Sequence, residues 1–462
     1  MHLVLLVAYS ALLVAIGLWI GRRVRTTADF FVAGRRLGPG LLFSTLLAAN
    51  IGAGSTVGAA GLGYRDGLSA WWWVGSAGLG SVVLAWTVGP AIRRVAAAHD
   101  LRTVGDFLEW RYGPAVRAAV AALLWVGTLA ILAGQLLALA WVLEVVAGIP
   151  KTAGCLIGGL VMTTYFTAGG LLTAAAVNLV QLVVLLGGFA VALPLLLGEV
   201  GGLAGLRRAA PDPALWSFWA GGGSGWIYAA MLAPSFIVSP GLLQKIYGAR
   251  DERAVRVGVA LNAAVLVVFA FVPVLAGMIA RVRHPALPHH ELALPTLLME
   301  DLPAAIGALG LAALFSAEVS TCDAILFMLS TSLSQDLYKR FVAPQATDAQ
   351  VMRVARGAAV AGGALGVLLA LVSSTIIAAL SIFYTLLTVT LFVPLVAGLY
   401  TRRPGRAAAL AAIAAGVVGM IAVQGRPAGG ALTPALAGIL AAATAFAVVA
   451  AARRPKPIAC SP

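Results

Sequence analysis

The stretch LLAANIGAGSTVGAAGLG, residues 46–63, lies in a long hydrophobic run but contains five glycines and one asparagine. Glycine in a helix interior costs about 1 kcal/mol relative to alanine. Within lipid, an unwound stretch persists only where protein or a water-filled cavity surrounds it, because unpaired backbone groups are costly there. We therefore interpret residues 50–54 as a break in a membrane helix, with carbonyl groups free to bind a ligand. Gly58, Gly61 and Gly63 are interpreted instead as sites of close helix packing.

The composition identifies an integral membrane protein. Of the 462 residues, 61% are hydrophobic and 10% are charged, with a mean hydropathy of +0.98, whereas soluble domains are about 25% charged. Runs without Asp, Glu, Lys or Arg cover 37–64, 67–92, 118–143, 152–198, 213–244, 257–280, 357–401, 407–425 and 427–452. Each is long enough to cross a hydrocarbon core of roughly 30 Å, and some hold two crossings. With segments 3–20 and 303–334, the sequence predicts thirteen spans.

The basic residues predict the orientation. If the N-terminus is outside, most of the 31 basic residues fall on one side of the membrane, in clusters at 22–36, 93–117, 245–256, 339–356, 402–406 and 453–456. Positively charged loops stay cytoplasmic, so we expect an N-out, C-in topology. The net charge of +14 therefore reflects topology, and a nucleic-acid partner is not expected.

A second interrupted segment occurs in GWIYAAMLAPSFIVSPGLLQK, residues 225–245, which contains Pro234 and Pro240-Gly241. Proline removes a hydrogen bond and kinks a helix. Interrupted spans in corresponding positions of two halves are typical of inverted-repeat transporters with a binding site near the membrane midplane. The predicted organisation is an N-terminal helix at 1–22, repeats at 38–200 and 224–400, and C-terminal helices at 405–452.

Two acidic residues, Glu318 and Asp323, lie deep within a predicted span, in IGALGLAALFSAEVSTCDAILFMLSTSLSQDLYKRF (306–341). Intramembrane carboxylates are expensive and usually functional. At about 100° per residue, Ala317, Ser320, Thr321 and Ala324 form one small face that bears hydroxyl groups, and the two acids flank it. Hydroxyl and freed carbonyl oxygens are the ligands that hard cations prefer. This face is therefore predicted to bind a cation such as sodium.

Several stretches together resemble the sodium:solute symporter family, which includes bacterial proline, pantothenate and sugar symporters. The matching stretches are DFFVAGRRLGP (29–39), AANIGAG (48–54), TVGDFLEWRYG (103–113), YFTAGGLLTAAAVNLVQ (165–181), QKIYGARDERAVRVG (244–258) and FSAEVSTCDAILFMLSTSLSQDLYKRF (315–341). The resemblance implies an all-α LeuT-like fold of two inverted five-helix repeats, with one extra N-terminal and two extra C-terminal helices. It also implies a sodium site made by the carbonyl groups of Ala48, Ile51 and Ala317 and the hydroxyl groups of Ser320 and Thr321.

The solute site is expected beside the sodium site. The sugar-transporting branch of the family resembles AANISAEQ, whereas this chain has AANIGAGS, which places Gly54 and Ser55 at the polar positions and disfavours a sugar. A small amino acid, carboxylate or related metabolite is the expected solute. The candidate solute-binding residues are Asn50, Gly52, Gly54, Ser55, Gln135, Ser235, Ser239 and Tyr384.

A second cation or proton site is also predicted, from Asp323, Asn178 and Glu318. The family's pattern resembles TDxxQ near the cation path, but this chain reads VNLVQ, with Asn178 in place of the aspartate. Asp323 lies about 60° around its helix from Ser320, so its carboxylate can supply the missing charge. Burial raises the pKa of a carboxyl group, which leaves proton coupling open.

These observations predict a sodium-coupled secondary symporter of a small solute, with a proton-coupled symporter or a membrane sensor as alternatives. No enzymatic activity is expected, and the three cysteines show no metal-binding spacing. The expected partners are the solute and the lipid bilayer, with the monomer as the functional unit and Na+ as the coupling ion. We expect a multi-pass protein of a bacterial plasma membrane. Trp71, Trp72 and Trp73 are interpreted as an interfacial anchor.

Overall fold

The computed structural model describes residues 8, 11, 12, 15, 35, 37–220, 225–401, 405–424 and 432–452, without the side chains of 165 and 167–180. The described chain is helical almost throughout. Its α-helices are α1 (Pro39–Asn50), α2 (Val57–Asp66), α3 (Trp71–Trp86), α4 (Val88–Ala98), α5 (Val104–Tyr112), α6 (Pro114–Ala147), α7 (Lys151–Glu199), α8 (Gly202–Ala209), α9 (Gly225–Val238), α10 (Pro240–Tyr247), α11 (Glu252–Phe269), α12 (Phe271–Arg283), α13 (Ala293–Glu300), α14 (Ala304–Thr331), α15 (Asp348–Val372), α16 (Ile376–Tyr400), α17 (Arg406–Val423) and α18 (Pro434–Ala452). Short 3₁₀-helices cover Ala53–Ser55, Gly67–Ala70, Pro213–Trp216 and His290–Leu292, and α14 continues into a π-helix, Ser332–Val342.

The predicted break in the first glycine-rich segment is confirmed. Helix α1 ends at Asn50, Ile51 and Gly52 are extended, and α2 begins at Val57. A Cβ atom on Gly52 would lie 2.7 Å from Thr321 Cβ and 2.8 Å from Gln135 Oε1. Glycine is therefore required at this position because α6 and α14 approach the broken backbone too closely for any side chain.

The second break is also confirmed. Helix α9 ends at Val238, Ser239 is non-helical, and α10 begins at Pro240, which needs no hydrogen-bond partner at a helix start. The two broken segments meet where the residues before α1 lie beside the end of α10. There, the backbone N–H of Leu37 donates to Gly248 at 3.0 Å, and the N–H of Arg250 donates to Leu37 at 2.9 Å.

Ten helical segments of the described chain are long and apolar enough to cross a membrane, against thirteen predicted. The N-terminal segment 1–22 lies almost entirely outside the described residues. The break splits the first glycine-rich segment into two helices. The first of them, Pro39–Asn50, has 12 residues and is too short to count as a membrane span. The region 152–198, which is long enough for two spans, forms one run of helix, α7, in which only Gln181–Glu199 of the described residues qualifies. The expected helix count and orientation therefore remain predictions.

The broken helices lie in the centre of the helical core. Helix α1 packs against α11, and α2 packs against α12, where a Cβ atom on Gly63 would lie 2.5 Å from the carbonyl oxygen of Val274. This contact confirms close packing at Gly63. Helix α14 packs against α6 and α7, and α9 packs against α3 and α16. The break in α1–α2 is consequently enclosed by α6, α14 and α16.

A charged network fixes α5 to the start of α6 and to the π-helix that follows α14. Arg117 donates to Asp336 at 2.7 Å and to Glu109 at 2.9 Å, and the Thr103 hydroxyl donates to Asp336 at 2.8 Å. Burial alone would raise the pKa of Glu109, but hydrogen bonds from Arg340 and Arg117 outweigh it, so that the pKa is lowered. Glu109 therefore helps to hold α5 against its neighbours.

Candidate functional site

The five oxygen atoms predicted to bind sodium converge where the break in α1–α2 meets α14. Ser320 Oγ lies 2.8 Å from the carbonyl oxygen of Ala48 and 3.1 Å from that of Ala317. Thr321 Oγ1 lies 3.2 Å from the carbonyl oxygen of Ile51 and 3.5 Å from that of Ala48. The structure thus brings together three carbonyl groups and two hydroxyl groups that are distant in sequence.

This oxygen cluster has the chemistry of a hard-cation site. All five residues are at most 5% exposed, so no bulk water competes for the oxygens. The carbonyl of Ile51 is available because residues 51 and 52 are extended and leave the helical hydrogen-bond ladder. The hydroxyl protons of Ser320 and Thr321 now point at these carbonyl groups, and a bound cation would replace those hydrogen bonds by direct coordination.

Glu318 holds the break from the other side of α14. Thr56 Oγ1 lies 2.9 Å from Glu318 Oε1 and 2.9 Å from the carbonyl oxygen of Gly52. Glu318 is fully buried, and its second oxygen, Oε2, has no hydrogen-bond partner among the described residues. The carboxyl group therefore anchors the unwound segment next to the oxygen cluster.

Lys245 is a site residue that sequence reasoning missed. It was grouped with the basic loop cluster 245–256, but it is 9% exposed and lies in α10, and its Nζ donates to the carbonyl oxygen of Thr45 at 2.8 Å. Asp323, which is 1% exposed, is the carboxyl group that acts electrostatically on Lys245. The signal available in the sequence was the position of Lys245 only five residues after Pro240, within the second broken segment. The side chain of Asn178, the third residue of the predicted second site, lies outside the described residues.

A small cavity adjoins the oxygen cluster. Its volume is about 40 Å³, which suits a few water molecules and is far below the several hundred Å³ typical of ligand pockets. Among the described residues it is lined by Ala49, Asn50, Gly52, Gly54, Ser55, Trp73, Val74, Ala77, Ile131, Gln135, Leu232, Phe236, Leu266, Thr321, Leu380 and Tyr384. This lining contains no charged side chain.

Six of the eight predicted solute-binding residues line this cavity, namely Asn50, Gly52, Gly54, Ser55, Gln135 and Tyr384. Ser235 and Ser239 do not. The Ser235 hydroxyl is fully buried and contacts the carbonyl oxygen of Tyr384 and the Thr388 hydroxyl, which joins α9 to α16. Ser239 marks the break between α9 and α10. The Ser235 hydroxyl is therefore used in the contact between α9 and α16.

The polar side of the cavity is held in place by hydrogen bonds to the broken backbone. Gln135 Oε1 accepts from the N–H of Ala53 at 2.8 Å, and the Ser55 hydroxyl donates to the carbonyl oxygen of Asn50 at 2.9 Å. Asn50 Nδ2 donates to Asn262 Oδ1 at 3.0 Å. These contacts fix the polar groups of the cavity relative to the oxygen cluster.

The opposite side of the cavity is aromatic. Trp73 and Tyr384 rings meet edge to face at 6.1 Å, and Phe236 lies 5.7 Å from Tyr384. The interpretation of Trp73 as an interfacial anchor is wrong, since this residue is 3% exposed and lines the cavity. The three consecutive tryptophans cannot be distinguished in the sequence, but in the helix the side chain of Trp73 points into the protein.

Glu291 ties three helices together above the cavity. Its Oε1 accepts from the N–H of Ile376 at 2.8 Å, at the start of α16, and its Oε2 accepts from Trp141 Nε1 at 3.1 Å, in α6. A Cβ atom on Gly61 of α2 would lie 3.2 Å from Glu291 Cα. Burial raises the pKa of Glu291 to about 7. This residue of a connecting segment was not predicted, because its partners are distant in sequence.

Comparison with known proteins gives concordant matches. The model of the sodium:solute symporter family matches residues 30–416. The sodium/pantothenate symporter of Escherichia coli is 29% identical over 439 residues, covering 89% of this chain and 88% of the relative. The sodium/glucose cotransporter of Vibrio parahaemolyticus is 24% identical over 405 residues, covering 76% of this chain and 71% of the relative.

Solved structures share the fold. A substrate-bound, outward-open Na+-coupled sialic acid symporter superposes with a TM-score of 0.83 at 18% identity, covering 98% of both chains. A nucleobase-cation-symport-1 family transporter in a closed conformation superposes with a TM-score of 0.61 at 13% identity, covering 92% of this chain and 95% of the other. The helical arrangement is thus that of LeuT-like transporters.

Proposed function

The chain belongs to the sodium:solute symporter family, whose members are sodium-coupled transporters, and we propose that it carries a small amino acid, carboxylate or related metabolite across the membrane. The convergence of Ala48, Ile51, Ala317, Ser320 and Thr321 carries this proposal, because these residues surround one point with oxygen atoms beside the cavity. Sodium is the coupling ion, and these five residues are its proposed ligands.

Thr321 is the proposed link between ion and solute. Its hydroxyl belongs to the oxygen cluster, and the residue also lines the cavity. A cation bound by Thr321 would draw α14 against the break, which positions Gly52 and Gln135 at the cavity wall. Solute binding would then be stronger with sodium present, and by linkage sodium binding would be stronger with solute present.

The solute is proposed to occupy the cavity between the broken backbone and the aromatic wall. Asn50, Ser55 and Gln135 supply hydrogen bonds, while Trp73 and Tyr384 cover an apolar part. At about 40 Å³ the cavity must widen to admit a metabolite, and movement of α16, which carries Leu380 and Tyr384, would widen it. Alternating access through such movement is the proposed transport cycle.

The proposed molecular organisation follows the sequence expectations. Repeats at 38–200 and 224–400 would each begin with an interrupted helix, preceded by a helix at 1–22 and followed by helices at 405–452. The proposed topology is N-out and C-in with thirteen helices, in a bacterial plasma membrane. The monomer is the proposed functional unit, and the proposed activity is transport without a catalysed reaction.

Uptake into proteoliposomes tests the proposal. Purified protein would be reconstituted and offered radiolabelled amino acids, small carboxylates and sugars, each with an inward sodium gradient or an equal potassium gradient. We expect at least one amino acid or carboxylate to accumulate only with the sodium gradient, and sugars not to accumulate. Accumulation that follows a proton gradient and ignores sodium would contradict the proposal and favour the proton-coupled alternative.

A further inference from the structure

Lys245 brings a positive charge into the interior of the inner half of the molecule. Its Nζ donates to the carbonyl oxygen of Thr45 at 2.8 Å, and only 9% of the residue is exposed. This hydrogen bond joins α10, the inner half of the second broken helix, to α1, the inner half of the first. A nearby negative charge favours the ammonium form of a buried lysine whose hydrogen-bond partner is a neutral carbonyl.

Asp323 supplies that negative charge at the same level of the molecule. Ser320 of α14 contacts Ala48 of α1. Asp323 lies three residues beyond Ser320 along α14, and Thr45 lies three residues before Ala48 along α1. Since α14 is antiparallel to α1 at this contact, Asp323 and Thr45 both lie about one helical turn from the oxygen cluster, on its inner side. Asp323 is therefore placed to act electrostatically on Lys245.

We infer that Lys245 serves as a built-in cation: its ammonium is the counter-charge of Asp323 in place of a second sodium ion, so that one sodium ion binds per chain. This inference rests on the proposed sodium site. It also replaces the expectation that Asp323 forms a second cation site, because the covalently attached ammonium would supply the positive charge that such a cation would bring.

Tethering explains why the lysine would prevail over a free ion. A carboxylate in a low-dielectric interior is stable only with a compensating charge. A lysine on an adjacent helix acts at an effective concentration on the order of millimolar or more and carries its hydrogen bond to Thr45 with it. A second sodium ion would have to shed its hydration shell and displace this ammonium. Its binding would therefore be suppressed while Lys245 is present.

Direct sodium binding tests the inference without knowledge of the solute. Radioactive sodium would be titrated onto the purified full-length chain, and the number of ions bound per chain would be measured at saturation. We expect one ion for the unmodified protein and one for Lys245→Arg, which retains the charge. We expect two for Lys245→Met and a return to one for Lys245→Met/Asp323→Asn.

Lys151 provides the matched control. Its Nζ also donates to a backbone carbonyl, that of Ser373, at 2.9 Å, but it is remote from the oxygen cluster, and Lys151→Met should bind one ion. Two ions on the unmodified protein, or one on a monodisperse Lys245→Met protein, would overturn the inference. If the unmodified protein showed no saturable sodium binding, that result would instead contradict the proposed sodium site. Because the unmodified chain alone distinguishes one ion from two, misfolding of a variant does not remove the test.

Discussion

At the scale of single residues, Gly52 determines how closely the broken helix approaches its neighbours. A Cβ atom there would lie 2.7 Å from Thr321 Cβ and 2.8 Å from Gln135 Oε1, so both a proposed sodium ligand and a cavity residue would have to move. The neighbouring Gly54 is less constrained, because a Cβ atom there meets the flexible end of Leu380. A substitution at Gly52 would therefore disturb the site itself, whereas a substitution at Gly54 would mainly disturb packing.

We expect Gly52→Ala to reduce sodium-driven uptake at least about tenfold, with Gly54→Ala reducing it less. Overpacking of this kind typically destabilises a protein by about 1–3 kcal/mol. At Gly52 it would destabilise the arrangement of Thr321 and Gln135 around the proposed site. Uptake normalised to the amount of reconstituted protein measures the effect. Equal, near-normal uptake by both variants would show that the break does not form the site.

Glu318 offers a second residue-scale prediction. Glu318→Ala removes the acceptor of the Thr56 hydroxyl, and loss of a buried hydrogen bond costs about 1–3 kcal/mol. Apparent sodium affinity should therefore fall roughly tenfold or more, while Glu318→Gln, which keeps an acceptor oxygen, should retain most of it. Sodium titration of each purified variant provides the measurement. An unchanged sodium affinity in a folded Glu318→Ala protein would contradict the role of Glu318 in holding the break.

At the scale of helices, the sequence predicted both interruptions because glycine and proline act locally. Asn50 to Gly54 and Pro240 mark the breaks, and the face of Ser320 and Thr321 follows from helical geometry alone. Other features depend on contacts between distant segments. Lys245 looked like a loop residue, since its partner Thr45 is 200 residues away, and the direction of Trp73 depends on packing against α9 and α16.

Glu291 is another residue whose role depends on contacts between distant segments, since it lies in a connecting segment and joins α6 to α16. The pKa of its carboxyl is raised from 4.5 to about 7 when buried. The conformation that buries Glu291 therefore binds more protons between these pH values than a conformation that exposes it to water. That conformation is stabilised fully below pH 4.5, and the stabilisation, about 3 kcal/mol, is lost as the pH rises to 7.

We accordingly expect the cavity to open more readily toward Glu291 as the pH rises from 5 to 7.5. A Leu380→Cys variant without native cysteines would be labelled with a membrane-impermeant thiol reagent, and an exposed Leu203→Cys control corrects for thiol ionisation. Glu291→Gln should remove most of the pH dependence. The pKa of His290 is lowered to about 4 by burial and by His289, so His290 stays neutral over this range, whereas His289 and Lys151 remain in both proteins. An unaltered pH profile in Glu291→Gln would exclude Glu291 as its source.

At the scale of the whole molecule, residues of both broken helices line one small cavity, and polar contacts join the neighbouring helices. Glu291 joins α6 to α16 above it, and Lys245 joins α10 to α1 below it. The cavity of about 40 Å³ is too small for a metabolite, so transport requires each closure to open in turn. Sodium bound between α14 and the break after α1 would link the two movements, because α1, α14 and the extended residue Ile51 supply all of its proposed ligands.

Equilibrium binding of radioactive sodium to Ser320→Ala/Thr321→Ala tests this central claim most directly. The matched control is Ser330→Ala/Ser334→Ala, since these two buried hydroxyl groups donate to carbonyl groups of their own helical segment. We predict saturable sodium binding to the unmodified protein and to the control, and a loss of at least about tenfold in affinity for Ser320→Ala/Thr321→Ala. Sodium binding of unchanged affinity in a folded Ser320→Ala/Thr321→Ala protein would contradict the account.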